Sequence, residues 1–269
     1  MKTRAITAFF FTLVMLGSIF LGSYTFTIFY LLLSLVALHE FYKLVKTAGI
    51  KPHVGVGLLT GAVIFLMVAA CYFLQADLKY LLLLVPLIFG VFIAELYNKE
   101  PSPFSAIAYT FAGYIYVTIP FCFFYALGFV FSAGGYNFHL PLAFLLMLWA
   151  SDTGAYLFGR KLGKTKLFER HSPKKSWEGF FGGVLTSTLV AFIISLFFTE
   201  MNAAVWMGMA VLVVSFGTLG DLVESMLKRS LNVKDSGTIL PGHGGILDRF
   251  DGLLIAAPIV FTYLYLVLN

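Results

Sequence analysis

Nine apolar stretches, each long enough to cross a lipid bilayer, dominate this 269-residue chain. They lie near residues 5–21, 25–45, 54–74, 80–97, 106–131, 138–159, 179–198, 203–227 and 251–268. A helix needs about 20 apolar residues to span the hydrocarbon. Lipid offers no water to a bare backbone, so a spanning segment must pair its own amides and carbonyls. The long runs lack the alternation of a transmembrane barrel. The pattern predicts an all-α, polytopic integral membrane protein with nine transmembrane helices. Composition agrees. At 60% hydrophobic and 12% charged residues, against roughly 25% charged in a soluble domain, one water-soluble core is excluded.

The few charges set an expected orientation. With nine spans, the N-terminus and the even-numbered loops share one side. That side holds 17 of the 18 lysines and arginines, and only Lys79 falls opposite. Basic residues mark cytoplasmic loops, so the N-terminus is expected in the cytoplasm and the C-terminus across the membrane. Lys2 and Arg4 before an apolar run resemble a signal peptide. Eight further spans make an uncleaved first helix the better reading. Cys71 and Cys122 sit inside spans, with no metal-type spacing and no disulfide framework. They read as small apolar fillers.

Charge also divides the chain. Residues 1–135 read as transmembrane helices with short connections. Residues 136–269 carry two long basic loops and are the expected catalytic part. In the first part, His39 and Glu40 read as a polar helix end near the interface. Glu95 and Asn98 read the same way.

Acidic residues inside or beside apolar helices carry the chemistry. Asp152 interrupts the sixth span, Asp221 the eighth, and Asp248 and Asp251 open the ninth. A charge in hydrocarbon costs about 2.5–3.5 kcal/mol even on the lenient insertion scale. One such acid could simply pair across the bundle. Several at matching ends of three helices point to a shared polar site. At roughly 3.6 residues per turn, Thr218, Asp221, Ser225 and Lys228 share a stripe. Carboxylates without clustered Cys or His suit a hard cation, Mg²⁺ first, held by one or two carboxylates and substrate phosphates.

The loops supply the opposite charge. The first runs from Gly159 and Arg160 through Ser172-Pro173-Lys174-Lys175-Ser176-Trp177-Glu178-Gly179 to Gly182-Gly183. The second carries Lys228-Arg229, Lys234-Asp235 and Pro241-Gly242-His243-Gly244-Gly245. Glycine lets backbone amides approach phosphate, and Lys and Arg neutralise it. Topology and attraction to anionic headgroups explain the charge, but not the glycines beside membrane acids. Gly159 to Thr165 imitates a P-loop, but has three residues between its glycines where the motif has four, and no strand precedes it. His243 could be a general acid, a phosphate donor or a turn residue.

The 27 residues from Ser225 to Asp251, SMLKRSLNVKDSGTILPGHGGILDRFD, resemble the signature of the phosphatidate cytidylyltransferases (CDP-diacylglycerol synthases). That signature combines Ser-x-x-Lys-Arg, Lys-Asp, His-Gly-Gly and Asp-Arg-x-Asp. Each appears here, as Ser225, Lys228-Arg229, Lys234-Asp235, His243-Gly244-Gly245 and Asp248-Arg249-Phe250-Asp251. The SPKKSWEG segment is similar to the family as well. The resemblance implies that CTP and phosphatidate give CDP-diacylglycerol and pyrophosphate with Mg²⁺. On that reading Asp221 and Asp248 hold metal, supported by Asp251 or Asp152. Lys228, Arg229, Lys234 and Arg249 hold phosphates of CTP and lipid. Lys174 and Lys175 contact the triphosphate, Gly244 and Gly245 offer amides, and Ser225 and His243 orient phosphate oxygens. The implied partners are CTP, phosphatidate and membrane lipid, with no nucleic acid, and a homodimer. Two other readings are a CTP-dependent lipid kinase of the dolichol kinase type and an anionic-solute transporter. No inverted repeat or paired broken helix favours the transporter.

Overall fold

The computed structural model describes residues 2–99, 101–131, 135–170, 172–237, 239 and 244–268; of residues 2–6 and 8 only the backbone is described. Among these residues the chain is almost entirely helical. In order come α1 (Lys2–Phe20), α2 (Ser23–Lys46), α3 (Val54–Phe73), a 3₁₀ turn (Leu78–Leu83) leading into α4 (Leu84–Leu96), α5 (Pro103–Gly113), a π segment (Tyr114–Thr118), α6 (Ile119–Leu127), α7 (His139–Leu162), α8 (Trp177–Phe197), α9 (Ala203–Ser230) and α10 (Leu247–Leu268). Eight helical stretches are long and apolar enough to cross a membrane, with α5 and α6 counted as one through the π segment. The first expected span is also a helix, 19 residues long, with its apolar part at Phe9–Phe20. Each expected stretch therefore coincides with a described helix. Large exposed apolar side chains cover outer faces, including Phe10, Leu13, Phe89, Ile93, Leu185 and Leu189, as lipid contact requires.

Local chemistry explains the ends. Ser176 caps α8 by accepting the Gly179 amide at 3.2 Å, and Asn202 caps α9 by accepting the Val205 amide at 3.0 Å. Such caps satisfy amides that have no partner within the helix. Arg160 and Lys161 close α7, and Lys228 and Arg229 close α9, the sign that suits a helix C-terminus. Pro120 has no N–H to give the Tyr116 carbonyl, and the helix widens into its π turn immediately before.

Packing then brings the acids together. One continuous apolar core runs from Met15 in α1 to Leu264 in α10. Small residues set the helix spacing around the acids. A Cβ on Gly154 of α7 would lie 2.0 Å from Thr186 Oγ1 of α8, and one on Gly220 of α9 would lie 2.3 Å from the Asp251 carbonyl of α10. Only glycine permits such contact. The Thr186 and Ser187 hydroxyls donate across the α7–α8 seam to the Ala150 and Met147 carbonyls, each at 3.0 Å. Asp152, Asp221 and Asp251 are thereby carried to one end of the bundle.

The sequence predicts no regular structure in the first basic loop. The structure folds part of it into an antiparallel hairpin, β1 (Lys166–Phe168) with β2 (Ser172–Ser176). Glu178, in the first turn of α8, accepts the Lys164 and Thr165 amides at 3.1 Å. That contact ties the hairpin to the helix that follows it. Cys71 and Cys122 are free.

Candidate active site

A cavity of about 700 Å³ opens where α1, α7, β2, α8, α9 and α10 meet. That volume suits a small-molecule site. Its polar side is formed by Asp152, Arg160, Lys174, Lys175, Thr218, Asp221, Asp248, Arg249 and Asp251. Its apolar side is formed by Phe11 and Met15 of α1 with Leu145 and Leu148 of α7. One chamber thus offers cations, carboxylates and hydrocarbon together.

The stripe read along α9 divides at this wall. Thr218 and Asp221 line the cavity, whereas Ser225 and Lys228 stand behind it. Ser225 Oγ donates to Asp221 Oδ1 at 3.3 Å, and Lys175 Nζ lies 2.5 Å from Asp221 Oδ2. Lys175 also interacts electrostatically with Asp152 and Asp251. The hairpin therefore delivers an ammonium into a group of three carboxylates on three helices. Asp251 Oδ1 accepts its neighbour's amide, Gly252, at 2.7 Å.

Asp248 sits in a separate cage at the same wall. Its Oδ1 accepts Lys228 Nζ at 2.7 Å, and its Oδ2 accepts the amides of Ser236 at 3.0 Å and Gly245 at 2.8 Å. Lys228 is held from the other side by Glu224 Oε2 at 2.6 Å. The family resemblance assigns Lys228 and the Gly245 amide to phosphate. The structure instead turns both toward Asp248. Gly244 has φ +81°, and a Cβ there would lie 2.5 Å from Asp248 Oδ2, so backbone closure around the carboxylate explains this glycine.

The remaining expected residues fall in three places. Lys174 and Arg249 line the cavity. Arg229 and Lys234 are exposed and outside its walls, with Arg229 donating to the Val233 carbonyl at 3.4 Å. His243 lies outside the described residues.

Several participants escaped the sequence reading. Glu224 is 1% exposed, although its spacing of four from Lys228 is a recognisable helical ion pair. Tyr116, in the π turn, has a buried hydroxyl with no hydrogen-bond partner among the described residues, and it interacts electrostatically with Glu224, Asp251 and Asp221. Arg160, already among the loop cations expected to neutralise phosphate, lines the cavity and donates to the Tyr156 hydroxyl at 3.2 Å. Glu95 is no simple helix end. It is buried and pairs with His53, and Asn98 donates to it at 3.4 Å, all away from the cavity.

The donor chemistry bears on a metal. Among the described residues no three His, Cys, Asp or Glu side chains cluster closely enough to enclose an ion. A cation here would have to be shared between one or two carboxylates and substrate oxygens, the ordinary mode for Mg²⁺. Asp221 and Asp251 retain acceptor sites on the cavity, and a carboxylate has about four lone-pair directions, so Asp248 keeps capacity beside its three donors. The residues fit a hard cation held jointly with phosphate.

Site and fold together define a helical integral membrane protein with a cavity lined by basic, acidic and apolar side chains. The profile of the cytidylyltransferase family matches residues 2–267, and the chain belongs to that family. It is 37% identical over 270 residues to the phosphatidate cytidylyltransferase of Staphylococcus haemolyticus, and 38% identical over 268 residues to that of Staphylococcus aureus. It is 38% identical over 265 residues to the protein of that name in Staphylococcus epidermidis. Each match covers 97% of both chains.

Proposed function

We propose that the chain transfers the cytidylyl group of CTP to phosphatidate, forming CDP-diacylglycerol and pyrophosphate for phospholipid synthesis. Family membership and full-length relatives named for this activity support it. The observation that carries the reading is the mixed lining of the cavity. Its charged side chains suit a triphosphate, and its apolar ones suit acyl chains.

The reaction needs no covalent enzyme intermediate. A phosphate oxygen of phosphatidate forms a bond to the α-phosphorus of CTP. The bond from that phosphorus to the bridging oxygen breaks, and pyrophosphate leaves with the electron pair. Catalysis is then alignment and stabilisation of charge on the phosphoryl oxygens. Lys174, Lys175, Arg160 and Arg249 line the cavity and on this reading bind phosphate oxygens. Asp221, with Asp248 and Asp251, would hold Mg²⁺, which when bound polarises phosphoryl oxygens and offsets their charge. Ser225 orients Asp221, and Lys228 orients Asp248. His243, by its place in the signature, is proposed to contact phosphate.

The basic loops support a cytoplasmic location for this end of the bundle, by the positive-inside rule. CTP would arrive from that side. Phosphatidate would keep its chains in the bilayer and reach the same chamber along α1 and α7.

The test uses purified protein in mixed micelles with CTP, phosphatidate and Mg²⁺, following lipid product and released phosphate together. CDP-diacylglycerol with equimolar pyrophosphate is expected. Release of CDP with a phosphorylated lipid would overturn the reading in favour of a lipid kinase.

A further inference from the structure

The feature that neither the motif nor the mechanism uses is Glu40. It lies in α2, 207 positions before its partner in the chain, and is 2% exposed. A buried carboxylate is costly unless strongly hydrogen-bonded, so its partners reveal its task. Oε2 accepts the Leu247 amide at 2.9 Å. That amide belongs to the first residue of α10, one of the helix-start amides that have no partner within the helix. The Ile246 amide also faces the carboxylate.

The same carboxylate packs against two glycines of the second basic loop. A Cβ on Gly237 would lie 2.6 Å from Glu40 Oε1, and one on Gly245 would lie 2.6 Å from Glu40 Oε2. Both glycines therefore rest directly on Glu40. On their other side sits Asp248, accepting the Ser236 and Gly245 amides. Two carboxylates thus clamp these two stretches of backbone between them. Asp248 faces the cavity, and Glu40 backs it from α2.

We infer that Glu40 is a positioning residue for nucleotidyl transfer, holding the start of α10 so that Asp248 stands correctly at the cavity wall. This inference rests on the proposed activity. It assigns Glu40 no contact with substrate, because Glu40 does not line the cavity. Its influence passes through the Leu247 amide and the glycine contacts. A displacement of roughly 1 Å in a catalytic group can cost about 10²-fold in rate, so a loosened clamp acts on kcat.

The test compares wild type with Glu40→Gln, Glu40→Asp and Glu40→Ala in the same micelles, measuring kcat, KM for CTP and thermal unfolding. Glu40→Gln keeps an acceptor for Leu247 and should hold kcat within about threefold. Glu40→Asp withdraws the carboxylate by one methylene, and a drop in kcat of about tenfold or more is expected, with KM for CTP little changed. Glu40→Ala should fall at least as far. Glu40→Asp carries the test if the alanine variant does not fold. Wild-type kcat in well-folded Glu40→Asp and Glu40→Ala would overturn the inference. So would equal losses in Glu40→Gln and Glu40→Ala, or a loss fully explained by the unfolded fraction. An inactive wild type would instead sink the proposed activity, so the two failures are distinct.

Discussion

Lys175 and Asp221 come from different elements, β2 and α9, and their charged atoms lie 2.5 Å apart at the cavity wall. The pair joins the hairpin to the membrane-embedded acids. It places a lysine ammonium where the triphosphate is proposed to bind. Replacing Lys175 with alanine should lower kcat/KM by about 10²-fold or more, the usual cost of losing one preorganised charge donor. Lys175→Arg should recover part of it. Steady-state kinetics in micelles measure both.

Asp221 is the cavity carboxylate with oxygens directed at both Lys175 and Ser225. Asp221→Asn should raise the Mg²⁺ concentration for half-maximal rate by at least about tenfold. Weaker Mn²⁺ binding to the CTP-loaded protein, read by electron paramagnetic resonance, should accompany it. Asp77→Asn, in an exposed ion pair with Lys79, should change neither. Unaltered metal dependence in Asp221→Asn would remove Asp221 from the cation site.

Glu224 and Lys228 form a pair with side chains 1% and 13% exposed. Breaking a buried pair by deleting one partner costs about 3–5 kcal/mol, because the other charge is stranded. Asp248 remains beside Lys228, so Glu224→Ala should fall at the lower end. Unfolding by a denaturing detergent, monitored by far-ultraviolet circular dichroism, gives the value.

The α7–α8 seam should tolerate almost nothing larger than hydrogen at Gly154. A methyl group there meets Thr186 Oγ1 at 2.0 Å and the Gly182 carbonyl at 2.7 Å. Overpacking of this kind costs about 1–3 kcal/mol. Gly154→Ala should lower the unfolding midpoint, and activity should fall with it because the seam carries Asp152. Gly55→Ala, in open space, is the control.

Leu148 lines the apolar side of the cavity beside Phe11 and Met15. Leu148→Trp should raise KM for long-chain phosphatidate while sparing a short-chain analogue, with KM for CTP unchanged. Equal effects on both lipids would move the acyl chains elsewhere.

The helices were legible because lipid enforces a simple rule: long apolar runs become helices. Expected 138–159 is observed as His139–Leu162, and 179–198 as Trp177–Phe197. The acids were legible for the converse reason, since Asp152, Asp221 and Asp251 interrupt such runs. The hairpin was not. Its strands, KLF and SPKKS, are 3 and 5 residues long, too short for a periodic signal, and one contains Pro173. Nor was the division of the α9 stripe, because spacing places Ser225 and Lys228 on one face without saying what covers it. Glu40 was hardest. Beside His39 and Lys43 it looks like an ordinary charged helix end, and only the return of α10 to α2 buries it. The exposed His39 one position earlier fits the ordinary reading.

The apolar wall built by Phe11, Met15, Leu145 and Leu148 has a consequence for rate laws. On the proposed function, acyl chains would enter along α1 and α7, and the chamber would then sample the surrounding lipid phase, not the bulk solution. The effective concentration of phosphatidate is then its fraction of the bilayer or micelle surface. Adding inert detergent at constant total phosphatidate should slow turnover by surface dilution. CTP, drawn from water, should be indifferent to that dilution. One enzyme would thus obey two-dimensional kinetics for one substrate and three-dimensional kinetics for the other.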